Sequence, residues 1–265
     1  MVRACSMVLT SKFPMRWITS IPLLILLVGQ LSGADAPLPA KPAVFIELFT
    51  SEGCSSCPPA DRMLEQFDRE SSASQQLIVL SEHVDYWNRT GWKDPYSSSF
   101  YSQRQIAYAN SFRIDGPYTP QMVVDGRAEF VGSDVKRAQH AVGVAQSVPK
   151  ASLHITGLGF TGPDSLHAHL ETGKISADGQ VFVAVALDRA ESQVSAGENS
   201  GKHLTHVAVA QVLSKVGTVE KGKSFSQDVD LKLDPKMDRS SLRVIAFVQE
   251  AGLGHVLAVS QEKLK

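Results

Sequence analysis

Two kinds of hydrophobic pattern divide the chain. Between Pro42 and Pro149, short apolar runs alternate with helical spacings. Val44-Phe45-Ile46-Glu47-Leu48-Phe49 is apolar on both faces except at Glu47, which suits a central strand covered on both sides. Met63, Leu64 and Phe67 then follow helical spacing. Pro58 and Pro59 stand where a first helical turn needs no N–H. Leu77-Ile78-Val79-Leu80 predicts a second buried strand. Ser98 to Phe112 predicts a helix with Tyr101, Gln105 and Tyr108 on one side. Gln121 to Val124, Asp125-Gly126 and Glu129 to Val131 predict a hairpin, and Ser133 the N-cap of a further helix. From Ala151 onward period 2 dominates, as in Leu166, Ala168 and Leu170 or Leu242, Val244, Ala246 and Val248. The first half therefore predicts an α/β layer and the second an antiparallel sandwich.

The first residues differ from both halves. Arg3, Lys12 and Arg16 precede an apolar run from Ile18 to Val28, and small residues follow at Leu31-Ser32-Gly33-Ala34. This predicts a signal peptide over 1–34, cut after Ala34, and a periplasmic or secreted mature chain. The run is too short for a membrane span, which takes roughly 20 apolar residues. No membrane association is expected after cleavage. Cleavage removes Cys5 and leaves Cys54 and Cys57 as the only sulfur pair, in an oxidising compartment. A formal net charge of -1 provides no global field for nucleic acid. Nothing in the pattern sets an oligomeric state.

The pair lies in Cys54-Ser55-Ser56-Cys57-Pro58-Pro59, between the first predicted strand and the first predicted helix. A C-x-x-C at that junction is a thioredoxin-like signature. The expected fold class is thus an α/β thioredoxin-like domain over 42–148, followed by an all-β, antiparallel sandwich-like domain over 151–265. The run Phe45 to Asp61 resembles the opening of the DUF1223 proteins. His83-Val84-Asp85-Tyr86-Trp87, Gly91 to Pro95, Tyr118 to Gln121, Val124-Asp125-Gly126 and Gly197 to Lys202 continue the resemblance. It implies a secreted, thioredoxin-like bacterial protein with a C-terminal β extension, and it supplies no substrate. The likeness to thioredoxins proper is looser, since Ser55-Ser56 separate the cysteines and Gly53 precedes them.

Cys54 is the candidate nucleophile and Cys57 the resolving thiol. A helix N-terminus favours a thiolate, and exchange runs through thiolate attack. A structural disulfide is the plain alternative, but a four-residue ring removes little chain entropy, roughly 2 kcal/mol. Two further residues enter through the thioredoxin likeness. Glu47 resembles the buried acid that relays protons beneath the dithiol, and Pro120 resembles the cis-proline that faces it. His83 ends the second predicted strand, at the sheet edge where ligands gather. Cys54, Cys57 and His83 could form a Cys₂His site for copper or zinc. His203 and His206 follow the Gly197–Lys202 loop, which could dock between domains or touch a ligand.

These residues predict a thiol–disulfide oxidoreductase with no cofactor. Its partner would be a protein thiol or disulfide client. Copper binding or delivery through Cys54, Cys57 and His83 is one alternative. A non-catalytic interaction protein with a structural disulfide is the other.

Overall fold

The computed structural model describes residues 41–72 and 75–264; the predicted signal segment, 1–34, lies outside them. The described residues belong to one compact unit, 38–265. In chain order the elements are β1 (Lys41–Thr50), α1 (Pro58–Glu70), β2 (Gln75–His83), α2 (Ser99–Phe112), β3 (Gln121–Val124), β4 (Ala128–Val131), α3 (Val135–Ala145), β5 (Leu153–Phe160), β6 (Ser165–Thr172), β7 (Gly179–Gln193), β8 (His203–Val219), β9 (Ser226–Lys232), β10 (Leu242–Glu250) and β11 (Val256–Lys263). The local patterns thus produce the elements they predict. One cap moves by a residue: Asp134, rather than Ser133, caps α3 by accepting the Arg137 N–H at 3.0 Å.

The expected fold class does not hold. Eight strands from both halves of the chain form one mixed sheet, in the order β11-β10-β7-β8-β2-β1-β3-β4, so the protein is mostly β rather than a thioredoxin-like domain followed by an all-β one. The parallel pair β1–β2 continues into β8 through the register Ser81–Val209. The remaining three strands, β5-β6-β9, form a separate antiparallel sheet. Pairing partners lie far apart in sequence, and period 2 within a strand carries no information about them.

Alternation along the strands explains the layers. Val44, Ile46 and Leu48 of β1 and Leu77 and Val79 of β2 pack against Ala60 and Leu64 of α1 and Ala138 and Val142 of α3. The opposite faces, Phe45 of β1 and Ile78 and Leu80 of β2, meet Tyr101 of α2, Ala184 and Ala186 of β7, and Ile245 and Phe247 of β10. Phe45 stacks on Phe247 with ring centroids 4.6 Å apart. In a flat sheet these strands, four steps apart, would stand roughly 19 Å from each other. The sheet therefore curls until β1 and β10 share one core. The other face of β7 and β10, through Val181, Val183, Val244 and Val248, packs on Leu166, Leu170, Val229 and Leu231 of the three-stranded sheet. The two sheets pack face to face here, but the larger one also holds β1, so they are not the separate antiparallel domain expected over 151–265.

Two features place the site. The β7–β8 hairpin is long, 15 and 17 residues, and its tip lies between Gln193 and His203. Ala208, at φ 50°, redirects β8 where it passes α1, and Val207 and Ala208 join that core.

Candidate functional site

β1 ends at Thr50, and a tight turn leads into α1. The Cys54 N–H donates to the Ser51 carbonyl (3.1 Å) and the Cys57 N–H to the Cys54 carbonyl (3.2 Å). The Cys57 carbonyl then accepts from Ala60 (2.8 Å) and Asp61 (3.1 Å), which starts α1 directly at the second cysteine. Cys54 and Cys57 form a disulfide with Cα atoms 5.4 Å apart. Both cysteines are 0% exposed, whereas Ser55 and Ser56 between them face solvent. The Ser56 hydroxyl lies 3.3 Å from Cys54 Sγ.

The turn is covered by the tip of the β7–β8 hairpin. Asn199 Nδ2 donates to the carbonyls of Glu52 (2.8 Å) and Cys54 (2.9 Å), and Lys202 Nζ donates to Asn199 Oδ1 (2.8 Å). Glu198 accepts the Ser55 N–H at 3.1 Å, and the Ser55 hydroxyl and N–H hold its carboxyl below the ordinary value. The Gly197–Lys202 motif therefore docks on the dithiol turn itself. From the other side, a Cβ on Gly53 would stand 3.1 Å from Trp87 Cβ, so glycine lets the segment after β2 close over the turn.

Pro120 precedes β3 in a cis peptide with Thr119. Trp87 Nε1 donates to Thr119 Oγ1 at 2.7 Å. A Cβ on Gly132 would stand 3.0 Å from Ala60 Cβ and 3.3 Å from Pro120 Cβ, so the proline and the first turn of α1 share one small pocket.

Glu47 is fully buried on the α2 side of β1, the side away from α1. It accepts Arg104 Nε (2.8 Å) and Nη2 (2.5 Å) and the Tyr108 hydroxyl (2.5 Å). Gln249 of β10 completes the network, accepting from Arg104 (3.2 Å) and donating to Tyr108 (2.8 Å). Glu82 of β2 lies 3.5 Å from Arg104 Nε. Burial pushes the Glu82 carboxyl well above its usual range. Arg104 opposes this and Glu47 adds to it. One guanidinium thus serves two buried carboxyls, and the second is pushed toward its protonated form.

His83 is likewise buried. Its Nδ1 lies 2.7 Å from Asp94 Oδ2, and its ring packs edge-on against His206 (4.6 Å) and Tyr96 (5.5 Å). Asp94 also accepts the Glu52 N–H at 2.9 Å. Burial raises the Asp94 pKa, but His83 and the backbone donors of Glu52 and Tyr96 outweigh it and bring the value down to about 2. Among the described residues, no group of three or more His, Cys, Asp or Glu side chains is arranged to hold a metal ion. Among the same residues, no helix is long and apolar enough to cross a membrane.

Sequence reasoning missed Glu52, Asp61, Asp94, Arg104 and Asn199. Glu52 and Asp61 flank the C-x-x-C but read as ordinary turn and helix-start acids. His206 carried a usable signal, a lone ionisable residue in the apolar run Leu204 to Ala210, yet its destination beside the dithiol turn depends on β8 pairing with β2.

In fold, the chain is similar to protein AGR_C_4864 from Agrobacterium tumefaciens, with a TM-score of 0.66, 23% identity, and coverage of 84% of this chain and 95% of that one. HBP35 of Porphyromonas gingivalis is also similar, with a TM-score of 0.61, 16% identity, and coverage of 85% and 76%. These identities speak to the fold alone. No curated protein matches the chain. The family model described as "Protein of unknown function (DUF1223)" matches residues 45–249, most of the chain, and the protein therefore belongs to the DUF1223 family.

Proposed function

We propose that the protein is a thiol–disulfide exchange protein whose working part is the Cys54–Cys57 pair. The observation that carries this reading is the disulfide's position: a four-residue ring at the start of α1, with the Ser56 hydroxyl 3.3 Å from Cys54 Sγ. Such a ring adds roughly 2 kcal/mol through chain entropy, little for a chain with cores this extensive. A helix N-terminus and a nearby hydroxyl both favour a thiolate at this turn, which is the species that exchanges. The signal-type segment read at 1–34 would deliver the protein to an oxidising compartment, where a protein dithiol or disulfide is the natural client.

The test is transfer between a small dithiol and a model protein disulfide. The wild type should be reduced by the first and oxidised by the second, and Cys54→Ser should abolish both reactions. Cys57→Ser should trap a mixed disulfide at Cys54. A protein that exchanges with neither substrate, or a reduction potential well below about -300 mV, is the behaviour of a structural bond and would sink the proposal.

A further inference from the structure

Asp61 stands one helical turn beyond Cys57. Residues at i and i+4 share a helix face with Cβ atoms roughly 5–6 Å apart, and helical side chains lean toward the N-terminus. Helix geometry therefore sets the Asp61 side chain on the Cys57 side of α1, and its carboxyl accepts the Thr50 hydroxyl at 2.8 Å. His206 of β8 faces it from the opposite side, Nδ1 to Oδ1 at 3.7 Å, and reaches Glu52 with Nε2 to Oε1 at 3.6 Å. These are ion-pair separations, and among the described residues neither ring nitrogen has a hydrogen-bond partner; nor has Glu52 Oε1. His206 is 2% exposed, Glu52 0% and Asp61 5%. The Trp92 indole fixes the other Glu52 oxygen at 2.7 Å. The remaining titratable groups against the ring are His83, backed by Asp94, and Tyr96 at 6.3 Å. The imidazole thus stands between two carboxyls beside the first turn of α1, within ion-pair distance of both.

We propose that Asp61 and His206 are a proton store for Cys57, with Glu52 holding the imidazole in place. This rests on the exchange reading above. Cys54 is 0% exposed, so the turn that carries the exposed Ser55 and Ser56 opens first. A client thiolate then attacks Cys54 Sγ, a client–Cys54 bond forms, and the Cys54–Cys57 bond breaks with its electron pair leaving on Cys57 Sγ. That buried thiolate takes a proton passed through Asp61 from the His206 imidazolium. The client's second thiolate attacks the client sulfur of the mixed disulfide, and Cys54 leaves and is protonated from solvent. Solvent also reprotonates His206. The client dithiol loses two electrons and two protons, and the cysteine pair gains two of each. Burial works against charge on His206, but Asp61 and Glu52 outweigh it and raise its pKa to about 10, so the store is filled at neutral pH.

The experiment is single-turnover reduction of the oxidised protein by dithiothreitol, read by thiol alkylation across pH, for the wild type, Asp61→Asn and His206→Gln. Each variant should be slower at neutral pH by on the order of 100-fold, the scale of a lost general acid. The gap should close as pH rises through about 10. Asp61→Asn keeps its shape and its Thr50 contact, so it serves if His206→Gln does not fold. A variant that keeps the wild-type rate, or is slowed equally at every pH, overturns the proton store while exchange stands. A wild type whose Cys54–Cys57 bond dithiothreitol does not reduce overturns the exchange reading and this one with it.

Discussion

At the scale of single residues, the molecule departs most from a plain hydrophobic core where β1, β2 and α2 meet. Arg104 is 7% exposed and satisfies Glu47 while lying beside Glu82. Removing one partner of a buried charged set leaves the other uncompensated, at roughly 3–5 kcal/mol. We expect Arg104→Met to lose about that much stability in urea unfolding. Glu82→Gln should behave oppositely. The folded-state pKa of Glu82 is raised, so its contribution is full below the ordinary carboxylate range and is lost as pH rises through the folded value. Glutamine mimics the protonated form, so the variant should cost under about 1 kcal/mol at neutral pH and gain on the wild type in alkaline buffer. Unfolding curves at two pH values decide this, and an alkaline deficit would count against a proton held on Glu82. Glu47 was legible as the lone acid of an apolar strand. Its partner was not, because Arg104 sits among polar residues of α2 and only the packed helix turns it inward.

At the scale of elements, the β7–β8 hairpin ties the dithiol turn to the rest of the protein. Its tip supplies Asn199, whose single amide satisfies two buried carbonyls. Losing both bonds should cost about 1–3 kcal/mol. Asn199→Ala should lower the unfolding midpoint accordingly and speed reduction of the disulfide, because the Cys54 segment loses its anchor. A variant with unchanged stability and unchanged reduction rate would mean the tip does not hold the turn. The strand–turn–helix around the cysteines could be read directly, since two prolines and a helical spacing follow them. The covering loop was visible as the Gly197–Lys202 motif, 140 residues after Cys57 in sequence. Its docking place was not, because loop composition carries no record of what the loop touches.

At the scale of the whole molecule, one curled sheet takes strands from both halves of the sequence. Phe45 stacks on Phe247, and buried Arg243 of β10 joins Asp68 of α1 at 2.5 Å while also pairing with Asp188. A fragment of residues 38–148 would expose Phe45, Ile78 and Leu80 and leave β2 as a bare edge. We expect it to aggregate or remain unfolded, while the intact chain unfolds in one cooperative transition by circular dichroism and tryptophan fluorescence. A soluble fragment with native-like cooperativity would contradict this. The sequence alone determined what depends on neighbours along the chain: the strands and helices, the turn that pairs Cys54 with Cys57, and the family motifs. Tertiary structure alone decided that one sheet spans both halves, that Glu47 meets Arg104, and that His206 and Asn199 arrive at the dithiol. Periodicity reports which face of an element is buried, and strand pairing across more than a hundred residues decides what that face is buried against.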